Sequence, residues 1–550
     1  DAAWPYSAYY KGDAPLWLNA VRAAREGAVF EWGLPFRPPG MMFLLGRALA
    51  WGGGIAAAKT LWCVLGASIP PVLFLAARRA FGFGTAAVAG VGMAASTSLL
   101  ILSTSLNNET PYLTLVALGF LLWDAGPPVR FRILAWAALQ GAACLVRVEH
   151  ALFFLLALGL LVGIWARAGT ARRRVLLGTG ACLAAFAAPL LPWELAAWHR
   201  IAEFNQHTRS LGEGMDALVD GVRTRSGNFT WDPGARRAEA ALPAYGRPVW
   251  SALVVATVGY RGRTTLRAED FQILREAFGA APEPVAGHPF VALYGPLNFY
   301  LANNDSAGGG FSRSILETPP PLAGGASAYP PFFSRDFPPT DKLAVWYPPH
   351  LAAVNHGTAL GLAWIRTHPG RFAGLVMERL RRFWAGAAMG VTGFGFPAGV
   401  AGPRYAVDLV VPDGAAAFLW KLAVGAACVA GLLALRRVAE TWLWVAFLAS
   451  KAAVVACFFG YARIGATAAP VLWLLVAAAL VRWVLPPLAA RAPRLRGRGF
   501  AVATAVLLAF VAAEGIRAAH PPELYVRDRK VGAVDPYPER LYIDQRLNVR

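Results

Sequence analysis

IAAAKTLWCVLGASIPPVLFLAA, residues Ile55 to Ala77, is closed by Arg78-Arg79. One charge, Lys59, interrupts an apolar run long enough to cross a hydrocarbon core as a helix. A basic pair at one end marks the cytoplasmic side of such a span. The pattern recurs. Apolar runs follow at Gly84–Leu106, Pro111–Ala125, Ile133–Val146, Ala151–Trp165 and Val175–Leu191, then at Ala415–Leu435, Thr441–Phe459, Ala468–Leu485 and Phe500–Ala513. The expected fold is therefore an all-α polytopic membrane protein with about ten transmembrane helices. Residue 1 is Asp rather than Met, so one more span is expected upstream, with its N-terminus in the cytoplasm.

Composition agrees. Hydrophobic residues make up 57% of the chain and charged ones only 15%, with a mean hydropathy of +0.45, well outside the range of soluble domains. The formal charge of +20 does not point to nucleic acid, because Lys and Arg cluster at the ends of apolar runs. The five cysteines all lie within apolar runs, with no CxxC or Cys/His spacing, so neither a disulfide framework nor a structural zinc is indicated.

The charge alternation sorts the loops. Arg78-Arg79, Arg130/Arg132 and Arg172–Arg174 fall on the cytoplasmic side. Asp1, Asp13, Arg37, Glu109, Arg147, Glu149 and His150 then share the opposite face. The organisation reads as a first external loop with juxtamembrane helices (1–54), a first helix group (55–193), an external loop domain (194–368), an amphipathic interfacial helix and loop (369–414), a second helix group (415–518) and an external tail (519–550). The apolar run Val249–Val258 is too short to span and reads as buried within the loop domain. Repeated Pro pairs mark turns there.

Several constellations could carry chemistry. Asp13, in Lys11-Gly12-Asp13-Ala14-Pro15, precedes a short helix over about Pro15–Glu26. It is placed either to start that helix as its N-cap or to act as a general base on a hydroxyl. Asp1 shares its face. Arg147, Glu149 and His150 sit between two apolar runs, where charges must pair or face a cavity. They form either an internal ion pair or an anion pocket with Arg147 on a phosphate oxygen. Tyr461 and Arg463 open a late span, as an interfacial anchor or as a second phosphate contact. Lys451, inside the preceding span, is a further candidate. Asn303 and Asn304, before Gly308-Gly309-Gly310, suit either turns or sugar hydroxyls. No Walker loop, GxSxG or HExxH is present.

In order along the chain, GDAPLWLNAVRAAREG with FRPPGMMFLLG, CLVRVEHALFFLLALGLL, LLPWELAAWHR, LYGPLNFYLANNDSAGGG, WIRTHPGRFAGLVMERLRRFW and YARIGATAAPVLWLL resemble membrane glycosyltransferases of the C-type superfamily, family 39. That family includes protein O-mannosyltransferases and lipid A aminoarabinose transferases. Two positions depart from its pattern: Asp13-Ala14 stands for an Asp-Glu pair, and the late motif lacks its first Arg and early Pro. The resemblance implies a multi-pass protein of the cell inner membrane working on the periplasmic or extracellular face. It implies a polyprenyl-phosphate-sugar donor and a protein, lipid or glycan acceptor. Asp13, or Asp1, would be the base. Arg37, Glu109, Arg147, Glu149, His150, Asn303, Asn304, Tyr461 and Arg463 would line the substrate site. No cofactor is required, and a divalent metal is compatible with the superfamily although no ligand set for one stands out. The rival readings are a lipid-linked glycan flippase and a non-catalytic carbohydrate-binding membrane protein.

Overall fold

The computed structural model describes Trp17, Val21, Ile315 and residues 34–51, 54–104, 106–128, 130–206, 284–287, 290–310, 348–391 and 415–486. Asp1, Asp13, the run Val249–Val258, the Pro pairs at 319–321, 330–331 and 338–339, the expected span Phe500–Ala513 and the C-terminal tail lie outside these residues.

The described chain is helical throughout, with no strand among the described residues, and it is a polytopic membrane protein. In order come α1 (Gly40–Ala50), α2 (Gly54–Phe81), α3 (Phe83–Ala94), α4 (Thr97–Thr104), α5 (Glu109–Leu122), α6 (Phe131–Val146), α7 (His150–Arg167) and α8 (Arg172–Ala187). There follow α9 (Leu191–Gln206), α10 (Tyr294–Ala302), α11 (Pro348–Thr367), α12 (Pro369–Met389), α13 (Ala415–Leu435), α14 (Ala439–Cys457), α15 (Ala462–Ala466) and α16 (Ala469–Ala479), which continues through Val484. Among the described residues, four segments are long and apolar enough to cross a membrane alone: Ala57–Phe81, His150–Arg167, Phe418–Leu435 and Ala439–Cys457. α8 and α9, bent by 58° at their break, pass the same test only as a pair, as a broken span or a re-entrant loop.

The other apolar helices are shorter. The run expected as one span from Gly84 to Leu106 is two helices, α3 and α4, parted at Ala95-Ser96. Such a break is tolerated where protein satisfies the freed polar groups. Here the buried Ser96 hydroxyl donates to the Gly390 carbonyl at 2.6 Å.

The bundle has two chemically distinct ends. At one, Arg79 donates to the Trp123 carbonyl, and Arg132 to those of Leu121 and Leu122. These cations satisfy the last turn of α5, where carbonyls lack helical partners and the dipole favours positive charge. The other end of α5 begins at Glu109. An aromatic column joins α5, α7 and α14: Phe120 stacks on Trp444 with centroids 4.2 Å apart, and Phe447 meets both Phe120 and Phe153 edge-on. Such offset and T-shaped contacts are favourable beyond the area they bury. This column fixes the three helices that carry Glu109, Glu149 and Lys451.

Candidate functional site

Local sequence sets the corner at Glu109. Asn107 precedes α5 and accepts from the Thr110 backbone N–H at 3.1 Å, while its amide donates to the Leu102 carbonyl at 2.8 Å. Trp62 on α2 donates to the Asn107 carbonyl at 2.8 Å. With its backbone so tied, the turn points Glu109 inward, 1% exposed. A second corner lies between α6 and α7, where Arg147 ends one helix in an extended conformation and Glu149 starts the next.

These corners meet. One Glu109 oxygen accepts from Arg147 at 3.0 Å and lies 3.2 Å from the Arg463 Nε. Arg147 also bonds Glu149. Lys451 Nζ, from α14, stands 3.5 Å from that same Glu149 oxygen. Three cations therefore surround two carboxylates, all at most 19% exposed. Burial pushes the Glu149 carboxyl up, but Arg147 and Lys451 overrule it and bring it down to about 2. Both acids are thus occupied as counter-ions, while the cluster keeps an excess of positive charge. The second Glu109 oxygen is buried with no hydrogen-bond partner.

Tyr112 forms the floor, with its ring 4.2 Å from Lys451 Nζ and 5.6 Å from the Arg147 guanidinium, within cation–π reach. Its orientation follows from a buried chain. The Gln140 amide nitrogen donates to the Trp136 carbonyl at 3.1 Å, which leaves Gln140 Oε1 to accept from His150 Nε2 at 2.8 Å. His150 Nδ1 is then an acceptor, and the Tyr112 hydroxyl donates to it at 2.9 Å. Tyr112→Phe should leave that nitrogen unsatisfied and cost about 1–3 kcal/mol, read by thermal unfolding in detergent.

The sequence-predicted residues divide. Glu109, Arg147, Glu149 and Arg463 come together. His150 lies beneath them with both ring nitrogens engaged, so it orients Tyr112. The Arg37 guanidinium lies 5.7 Å from the Phe36 ring and 6.0 Å from that of Trp17. Tyr294 opens α10; burial first, then Glu149, pushes its phenol up, while Arg147 and Arg37 oppose that. Asn303 and Asn304 turn toward backbone. Asn303 donates to the Phe299 and Cys457 carbonyls, and Asn304 to those of Tyr300 and Leu301. Tyr461 precedes α15 and packs near Phe459, with centroids 6.2 Å apart. Among the described residues, no group of three or more His, Cys, Asp or Glu could hold a metal ion. The cations around Glu109 and Glu149 do not suit a divalent ion either. Tyr112 and Gln140 were not singled out from the sequence. The one signal was a lone Gln in an apolar run, which needs a buried partner.

The arrangement brings fork-shaped donors and a point charge together, a chemistry that suits an anion. No family model matches the chain, and no curated protein matches it. Two crystal structures of ArnT from Cupriavidus metallidurans are similar in outline. The apo state has a TM-score of 0.29 at 15% identity, covering 87% of this chain and 73% of that chain. The form bound to undecaprenyl phosphate has a TM-score of 0.28 at 16% identity over the same shares. At that identity and overlap, the likeness says nothing about what this chain binds.

Proposed function

We propose that this chain is a membrane glycosyltransferase that moves a sugar from a polyprenyl-phosphate-linked donor to an acceptor hydroxyl on the non-cytoplasmic face. The observation that carries the reading is the buried Arg147–Lys451–Arg463 set, in excess over Glu109 and Glu149, at the head of an apolar bundle. A phosphate with a long apolar tail matches both properties: its oxygens meet the cations and its tail follows the outer faces of the spans.

In the reaction, a carboxylate takes the proton of the acceptor hydroxyl. The oxygen attacks the anomeric carbon, the bond from that carbon to the phosphate oxygen breaks, and the lipid phosphate leaves with inversion. The cations offset the charge that develops on the leaving group. Glu109 and Glu149 are committed to cations, so the base is assigned to Asp13, with Asp1 as the alternative. Trp17, four positions after Asp13 in the sequence, is buried beside Arg37. Asn303, Asn304 and Tyr461 are assigned to the surrounding loops, and the acceptor is a protein, lipid or glycan.

The test is transfer in proteoliposomes of stated lipid composition, with a radiolabelled polyprenyl-phosphate sugar. Sugar transfer should release one polyprenyl phosphate per turnover. Movement of the donor across the bilayer without release would overturn the reading in favour of a flippase. Sugar binding without product would favour a carbohydrate-binding protein. Lys451→Met sharpens the test. It keeps the side-chain volume, and Glu149 keeps its bond to Arg147, so the carboxylate is not left as an unpaired buried charge. Stability should hold while the donor KM rises by about tenfold, the scale of one lost charge-assisted contact.

A further inference from the structure

α12 is the polar-faced helix of the bundle, and its four arginines divide by role. Arg381 and Arg382 bond Glu378 on their own helix. Arg371 reaches Asp305. Arg379 alone turns inward, 0% exposed, and meets no carboxylate among the described residues. A buried cation without a counter-ion is costly, so what compensates it reveals its task.

Its partners are helix ends. Nη1 donates to the Ala456 carbonyl at 2.7 Å, near the end of α14, and Nη2 donates to the Ala302 carbonyl, the last of α10. Carbonyls in a final helical turn lack helical partners and carry the negative end of the dipole. One guanidinium thus caps two helices. Asn303 completes the joint: its Oδ1 accepts from Arg379 at 3.2 Å and its amide donates to the Cys457 carbonyl at 3.0 Å.

Directly after Cys457 the chain runs through Phe458–Tyr461 into α15, which carries Arg463 to Glu109. This connection lies flat against α12. The Gly460 N–H donates to the Gly309 carbonyl at 2.9 Å. A Cβ on Gly460 would stand 2.4 Å from the Arg379 Cα and carbonyl oxygen, and one on Gly465 2.0 Å from the Phe383 carbonyl oxygen. Backbone therefore meets backbone along this line, and little slack remains between Arg379 and Arg463.

We propose that Arg379 is a positioning residue: it latches the ends of α10 and α14 together and so holds Arg463 at the ion cluster. It touches no group of that cluster and acts through the 458–461 connection. Its effect on catalysis rests on the reading given under Proposed function, whereas the latch itself does not.

The experiment uses the full chain in detergent and in proteoliposomes, with Arg379→Ala, Arg379→Lys and Arg463→Ala, alone and combined. Amide hydrogen exchange is followed over 302–309 and 457–463, because local opening reports which segments have lost restraint. Arg379→Ala should speed exchange in both segments while the aromatic column stays protected. Unchanged exchange there would overturn the latch, whether or not the protein transfers sugar. A general rise in exchange would show a merely structural role and also overturn it. Absence of transfer in the unsubstituted protein would sink the proposed function and leave exchange to decide the latch.

Where transfer is seen, Arg379→Ala should raise the donor KM about tenfold or more, the scale of a misplaced binding group. It should add nothing to the KM of Arg463→Ala, since coupled residues are not additive. Additive effects would overturn positioning through Arg463. Arg379→Lys keeps the charge but cannot fork between two carbonyls, so it should fall between the two in both readouts. A Lys variant as loose as Ala would show that the charge contributes nothing and overturn the capping account.

Discussion

Replacing Arg147 with Ala is expected to cost about 3–5 kcal/mol of stability, the scale of breaking a buried ion pair by removing one partner, and to abolish sugar transfer. Arg147 bonds both acids of the cluster. Without it, the cation left beside Glu149 among the described residues is Lys451 at 3.5 Å, and the one beside Glu109 is Arg463 at 3.2 Å. Tyr112 also loses one of the two cations above its ring. The pH dependence gives an independent reading. Glu149 is lowered from 4.5 to about 2 in the folded chain. A lowered carboxyl contributes stability that is complete above its unfolded value and is lost as pH falls from 4.5 through about 2. In the Ala variant burial is opposed mainly by Lys451, so the carboxyl should rise and that acid tolerance should shrink. Thermal unfolding across pH 3 to 7 in detergent, for both proteins, checks this. Equal stability with equal pH dependence would show that Arg147 does not hold the cluster.

The second large effect is expected from Asp13→Asn. Loss of a general base lowers rates on the order of 10²- to 10⁴-fold, and the change keeps the side chain nearly isosteric. A carboxamide can still accept an N-cap hydrogen bond, and Asn is as good an N-cap as Asp, so folding should survive. The loss should fall on kcat, with the donor KM little changed, because Asp13 is assigned to the acceptor proton and not to the phosphate. Full activity in a folded Asp13→Asn protein would move the base to Asp1, and the same substitution there completes the test.

The reading from local pattern succeeded where the physics is local. The apolar run at Ile55–Ala77 is a helix because a spanning segment must satisfy its backbone internally, and α2 forms over it. Within the stretch 369–414, read as an amphipathic helix and loop, α12 forms over Pro369–Met389, opened by Pro at its first position. Of the charges placed on one face by alternation, Glu109, Arg147 and Glu149 do meet, and Arg463 joins them. The same reasoning stopped short at α3 and α4. There Ser96, at the break, donates its hydroxyl to the carbonyl of Gly390, which lies far along the chain. It also could not weigh Arg379 against its neighbours on α12. All four arginines look alike in sequence, and only packing shows that one of them points at two helix ends.

What the sequence alone determined is therefore the class of the protein: apolar runs of spanning length, basic ends and a set of charges too costly to leave in the membrane unpaired. Hydropathy and charge are properties of short stretches, so they are legible without a partner. What only the tertiary structure decided is which charges meet. Glu109 and Arg147 on early helices are completed by Lys451 and Arg463 on late ones, and Tyr112 is aimed by His150 and Gln140. Those pairings depend on how helices distant in sequence pack, and no local pattern carries that information.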